Sequence, residues 1–274
     1  MKILNLILFS HDDKFSKMRH ILEKWLTFQQ KKLIHFNYYF YSCRKDLDKD
    51  YLIQDHDIFI KCIDSIHPGV LYKTKKVFKI AKKNFQFDYL VRSNISTVID
   101  FISMSSYFHK NSIDYGGIPV HKLGLSKRYN VIDEKYLQIK YAYGFCMVFS
   151  KKSIDLLNNS TWPDVIDDLS IGYVMYNNNI TLVSLVNKYH WVRSTHLSRI
   201  NNFSIYDKFI FRNKYNGIEI LPNDRTIDIL TLSKYVSLLL NKHDIKKYHM
   251  RKIIYSLGFI LLMILLFIYL NQTF

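Results

Sequence analysis

The apolar residues fall into two periods. Residues 1–10 (MKILNLILFS) are almost continuously apolar and predict a buried first strand. The run is short, carries one Lys and reaches His11-Asp12-Asp13 without a small-residue cleavage site, which weighs against a signal sequence. Phe15, Met18, Leu22, Trp25 and Leu26 then recur at helical spacing, with Asp12 or Asp13 placed to cap. Residues 35–42 are rich in Tyr and Phe, and residues 57–62 alternate; both predict strands. Pro68-Gly69 breaks the chain. Leu71, Thr74, Val77, Phe78 and Ala81 form one face of a following helix, with lysines opposite. The pattern continues as a strand over 87–91, a helix over 97–108, a strand over 141–149, a helix capped by Ser150 and running to 157, a helix over 167–176, a strand over 181–186 and a last helix over 226–240. This alternation predicts an α/β sandwich around a largely parallel sheet. In such sheets ligands bind at the carboxyl ends of the strands, here Ser10-His11-Asp12 and residues 92–96.

The carboxyl terminus departs from this pattern. Residues 253–270 hold no charge and would span roughly 27 Å as a helix, close to a hydrocarbon core. Residues 242–252 precede them with five Lys/Arg against one Asp, a flank expected on the cytoplasmic side. The expected organisation is a body over 1–222 ending near Pro222, a basic helical stalk over 223–252 and a single-pass membrane helix over 253–270, with the body facing the cytosol. The Asn-x-Ser/Thr sequons at Asn158, Asn179 and Asn202 would then meet no glycosylation machinery.

Composition narrows the classes. The 274 residues carry a net charge of +16, are 16% aromatic and include only 8 Gly and 4 Pro, which excludes a disordered or collagen-like chain. Cys43, Cys62 and Cys146 lie far apart with no CxxC, so neither a disulfide framework nor a cysteine-rich zinc site is expected. The basic balance permits binding to anionic lipid or nucleic acid, but no nucleic-acid-binding signature accompanies it. GxGxxG, P-loop, GxSxG and HExxH motifs are all absent.

Four blocks remain that can carry chemistry: residues 87–97 (FDYLVRSNIST), 141–157 (YAYGFCMVFSKKSIDLL), 167–175 (DDLSIGYVM) and 189–199 (YHWVRSTHLSR). Each admits two readings. Asp167 and Asp168 either cap a helix and favour its dipole, or supply a general base. Asn94 and Ser96 close a turn or meet a phosphate. His190 is a packed histidine or a ligand. Arg193 and Arg199 are surface charges or an anion clamp. The run Tyr38-Tyr39-Phe40-Tyr41 reads as core and sheet surface rather than a sugar platform, and Gly144 marks a bulge or a close backbone approach.

In this order the four blocks resemble the galactosyltransferase/Fringe-like glycosyltransferases, over roughly residues 1 to 200. In that family an apolar strand runs into an Asp-x-Asp metal motif, matched in its approach by Phe87-Asp88-Tyr89-Leu90-Val91-Arg92-Ser93. A later strand has a Gly-containing turn and ends at a Ser that starts a helix, matched by Gly144 and Ser150. An acidic pair followed by Gly is matched by Asp167-Asp168-Leu169 and Gly172, and a downstream His by His190. Pro68 and Lys73-Thr74 sit where the family begins a Lys-Thr helix. The resemblance implies a GT-A-like, Rossmann-like nucleotide-sugar-binding sandwich, an inverting transfer from a UDP- or GDP-sugar to a glycan or protein acceptor, and Asp168 as general base beside Asp167. It places Arg92, Asn94, Ser96, Lys73, Gly144 and Arg193 around the donor. The Asp-x-Asp position falls on Asn94-Ile95-Ser96, without a carboxylate. A divalent metal such as Mn would therefore be absent, or held weakly with help from His190, because hard cations prefer carboxylate oxygens. Arg-Ser-Asn-x-Ser stands in its place, with Arg92 as the nearest cation for a leaving diphosphate.

Overall fold

In the computed structural model, residues 1–120, 124–192, 200, 205–213 and 225–244 are described. The apolar run at the amino terminus is strand β1 (Ile3–Leu8), with five of its six residues buried. Asp12 caps helix α1 (Asp13–Lys32) by accepting a hydrogen bond from the Lys14 N–H, and Met18, Leu22, Trp25 and Leu26 face inward. Strand β2 (Phe36–Cys43) follows, then a hairpin of β3 (Tyr51–Gln54) and β4 (Asp57–Ile60), helix α2 (Gly69–Asn84) and β5 (Tyr89–Asn94). Buried Tyr38, Phe40 and Tyr41 make β2 a core strand, as its composition predicts.

Residues 97–108 do not form one helix. Thr97, Val98 and Ile99 make strand β6 (Thr97–Ile99), and Asp100 then caps helix α3 (Phe101–Phe108). Three residues of high strand propensity pair with a later strand, and that pairing outweighs helical continuity. Strand β7 (Tyr115–Pro119) has no alternating pattern to betray it. Next come β8 (Ala142–Ser150), α4 (Lys151–Asn159), α5 (Asp167–Asn177) and β9 (Val183–Ser184), which is far shorter than the 181–186 expected. Strands β10 (Tyr189–Val192) and β11 (Ile210–Asn213) and a final helix α6 over 226–244 complete the described chain.

Eight strands form the main sheet in the order β3-β4-β2-β1-β5-β8-β7-β9. Strands β4, β2, β1 and β5 are parallel, but β8 runs antiparallel to both β5 and β7, so the sheet is mixed rather than largely parallel. This reversal carries the amino-terminal end of β8 to the carboxyl end of β5. A second sheet, β10-β11-β6, grows from the chain that leaves β5.

One hydrophobic cluster packs α1, α3 and α6 on one face of the sheet; another packs α2, α4 and α5 on the other. Of the segment expected as a stalk, the described part is packed against the core. Leu232, Tyr235, Val236 and Leu239 are buried, and Lys242 and His243 bond to Asp100. Pro222 and the expected membrane helix over 253–270 lie outside the described residues. No helix among the described residues is long and apolar enough to cross a membrane. The cysteine reading requires correction: Cys43 and Cys62 form a disulfide joining the ends of β2 and β4. Parallel pairing of Cys43 with Ile60 brings the two thiols together, although 19 residues separate them in sequence.

Candidate active site

A buried polar network lies under the carboxyl end of β5. The Arg92 guanidinium on β5 donates through Nη2 to Asp167 Oδ2 at 2.7 Å and through Nε to the Tyr41 hydroxyl at 3.2 Å. The Thr74 hydroxyl on α2 donates to the same Asp167 oxygen at 3.1 Å and lies 3.2 Å from the Tyr41 hydroxyl. All four side chains are buried. Burial works against the Arg92 charge, but Asp167 and Tyr41 override it and raise its pKa. An ion pair this deep depends on further hydrogen bonds, and Tyr41 and Thr74 each supply one.

Asp168 makes no hydrogen bond to Arg92, and part of it stays exposed. Its Oδ2 accepts from the Gly144 N–H at 3.2 Å, and its Oδ1 from its neighbour Leu169 N–H at 3.0 Å. Burial, and then the charge of Asp167, push its pKa up to about 7, against the pull of Arg92 and the two backbone donors. Gly144 is required here: a Cβ would lie 2.6 Å from Arg92 Nη1 and 3.4 Å from Asp168 Oδ2. Gly172, one turn further along α5, lets the helix press on Tyr141 at the start of β8. Two glycines thus permit α5 and β8 to approach closely enough to set the acidic pair.

The structure brings Asp167, Asp168, Arg92 and Gly144 together. It treats the other expected site residues differently. Arg92, within the network, is buried and bonded to Asp167 and Tyr41. The buried ammonium of Lys73 pairs with Asp64 at 2.5 Å. Asn94 and Ser96 form a local turn in which Asn94 Oδ1 accepts from the Ser96 hydroxyl at 3.1 Å and the Thr97 hydroxyl at 2.8 Å. His190 on β10 bonds through Nδ1 to the Tyr235 hydroxyl at 2.9 Å, and burial lowers its pKa. Arg193 and Arg199 lie outside the described residues.

The donor set at the turn does not fit a divalent metal. Its polar oxygens are an amide and hydroxyls already bonded to one another, with no carboxylate. Among the described residues no three His, Cys, Asp or Glu side chains converge as metal ligands.

Two features escaped the sequence. Tyr41 was read as core, and only the sheet register places its hydroxyl under Arg92. Arg212 on β11 belongs to no motif; it pairs with Thr97 of β6, beside the Asn94 turn. Separately, a cavity of about 940 Å³ opens near the far end of β7, lined in part by Leu137, Tyr141, Tyr176 and Ile180. It does not include Asp168, but Tyr141 links the two: burial and the charge of Asp168 both raise the Tyr141 pKa.

Comparison with known proteins gives no family model and no curated protein that matches. Among solved structures, the chain is similar to a glycosyltransferase involved in glycosylation of the major capsid of PBCV-1 (10% identity, 85% of this chain and 98% of that one, TM-score 0.43). It is also similar to the galactosyltransferase LgtC in complex with donor and acceptor sugar analogues (9%, 87% and 95%, TM-score 0.41). A third is mouse xyloside xylosyltransferase 1 in its apo form (8%, 81% and 99%, TM-score 0.41).

Proposed function

We propose that the chain is a glycosyltransferase that moves a sugar from a nucleoside-diphosphate donor to an acceptor hydroxyl with inversion, as a member of the Fringe-like branch its sequence blocks resemble. The observation that carries this reading is Asp168: a partly exposed carboxylate at the rim of the sheet, fixed by two backbone donors, with its pKa pushed up to about 7. A base of that strength takes up a proton near neutral pH and is still largely ionised just above it. The acceptor oxygen attacks the anomeric carbon on the face opposite the leaving group. Its proton passes to Asp168 as the bond to the nucleoside diphosphate breaks. Asp167 does not touch the reacting atoms in this scheme. Clamped by Arg92 and Thr74, it positions the start of α5 and keeps the Asp168 pKa high. The cavity beyond Tyr141 offers the acceptor, a glycan or a protein, a place to lie.

The test is transfer by the full-length chain from a panel of UDP- and GDP-sugars. Asp168→Asn is expected to lose at least about a hundredfold in kcat, the usual scale of a general base, with donor affinity unchanged. Wild-type turnover should rise as pH passes through about 7. Full activity in Asp168→Asn would remove the mechanism. Donor binding without transfer in the wild type would instead mark a sugar-nucleotide-binding protein that has lost its chemistry. The self-satisfied Asn94–Ser96 turn is the feature that favours that second reading.

The membrane anchor over 253–270 is part of the proposal and rests on sequence alone. It predicts that the full chain resists alkaline extraction from membranes and that a chain ending at residue 252 does not. The basic flank favours the body on the cytosolic side, whereas the Cys43–Cys62 bridge favours an oxidising compartment. Protease protection of the body in intact vesicles decides between them.

A further inference from the structure

Arg212 is a charged side chain that the proposed reaction leaves without a role. It sits on β11, paired in register with Thr97, whose hydroxyl donates to Asn94 in the turn that ends β5. Its Cζ lies 4.5 Å from the centre of the Phe145 ring, and Phe145 follows Gly144, the residue that touches both Arg92 and Asp168. Successive strand residues face opposite ways, so Arg212 stands at the same end of β8 as the acidic pair but on the other face. Its Nε is buried and has no hydrogen-bond partner among the described residues. Asp228, whose charge acts on it, accepts at Oδ2 from Arg225 Nη1 at 2.5 Å and makes no hydrogen bond to Arg212. Burial lowers the Arg212 pKa to about 10.

A guanidinium N–H buried without an acceptor is costly, and a ring face replaces only part of what water supplied. Such a group is stabilised when an anion arrives. The planar fork of donors matches phosphate oxygens, and the carboxyl rim of parallel strands is where ligand anions lie. The turn beside it lacks the carboxylates that would hold a metal on a diphosphate, and Arg92 and Lys73 are already paired.

We propose that Arg212 binds the diphosphate of the incoming nucleotide, supplying positive charge from β11 beside a turn that has no carboxylate to hold a metal. The assignment rests on the donor reading given above, so its test uses a probe that does not. The full-length chain is titrated calorimetrically in EDTA with inorganic pyrophosphate, UDP, GDP and uridine. Arg212→Gln is expected to weaken pyrophosphate and UDP by about tenfold or more and leave uridine unchanged, with Arg212→Lys between. Arg212→Met, which keeps an apolar stem over Phe145, should behave as Arg212→Gln does, and urea midpoints identify the variants that stay folded. Unchanged pyrophosphate affinity in a folded Arg212→Gln or Arg212→Met overturns the proposal, as does a wild type that binds no pyrophosphate. If pyrophosphate binds through Arg212 while neither nucleotide does, the anion site stands and the transferase reading falls.

Discussion

At the scale of single residues, the site is a contrast between two adjacent aspartates. Asp167 faces inward to Arg92, Tyr41 and Thr74; Asp168 faces the rim and accepts only backbone N–H groups. The same environment that prepares Asp168 as a base makes it a burden on the fold. Its folded pKa of about 7 lies above the unfolded value near 3.9. Between those values the native state holds the extra proton, so stability falls as pH rises and the full penalty is present above about pH 7. Asp168→Asn is therefore expected to melt a few degrees higher than wild type at pH 8, with the gain vanishing below about pH 4. Differential scanning calorimetry across that range checks it. Gly144→Ala should act in the opposite sense. Its Cβ would press on a guanidinium that cannot retreat from Asp167, at a cost of about 1–3 kcal/mol by urea unfolding.

At the scale of elements, Asp100 joins three of them. It caps α3, and His243 and Lys242 of α6 both bond to it, while His243 stacks on Trp25 of α1 at 5.8 Å. Burial alone would raise its pKa, but His243, Lys242 and Ser103 hold it down to about 2. A depressed carboxylate contributes stability above its unfolded pKa, and loses it as pH falls from about 4 to about 2. Asp100→Ala should cost about 3 kcal/mol at pH 7, because it leaves buried charge unpaired as well as removing a cap. Hydrogen exchange should show α6 opening first, and the gap from wild type should close by about pH 2. Much of this level was legible beforehand: helical spacing marked α1, α2 and α5, and Ser150 marked the start of α4. The β6 strand and Asp100 cap were not, since Thr97 to Ile99 take strand geometry only once β11 lies beside them.

For the whole molecule, the Cys43–Cys62 bridge closes the loop that contains the β3–β4 hairpin. Cross-linking across 19 residues should stabilise the chain by about 3 kcal/mol. Reduction, or the Cys43→Ser, Cys62→Ser pair, is expected to lower the free energy of urea unfolding by that amount and to leave the buried thiol of Cys146 unreacted with alkylating reagents.

Strands β1, β2, β4, β5 and β8, the main helices, the acidic pair at a helix start and the absence of carboxylates at the turn after β5 are all legible in the sequence. Those follow from periodicity, capping chemistry and residue type, which are properties of neighbours along the chain. Only the folded chain shows that β8 runs against its neighbours and that Arg92 bonds to Asp167 and Tyr41. It also decided that Cys43 meets Cys62, and that the buried Nε of Arg212 has no acceptor among the described residues. Each of these depends on strand order and register, which bring together residues tens of positions apart and which no local pattern encodes.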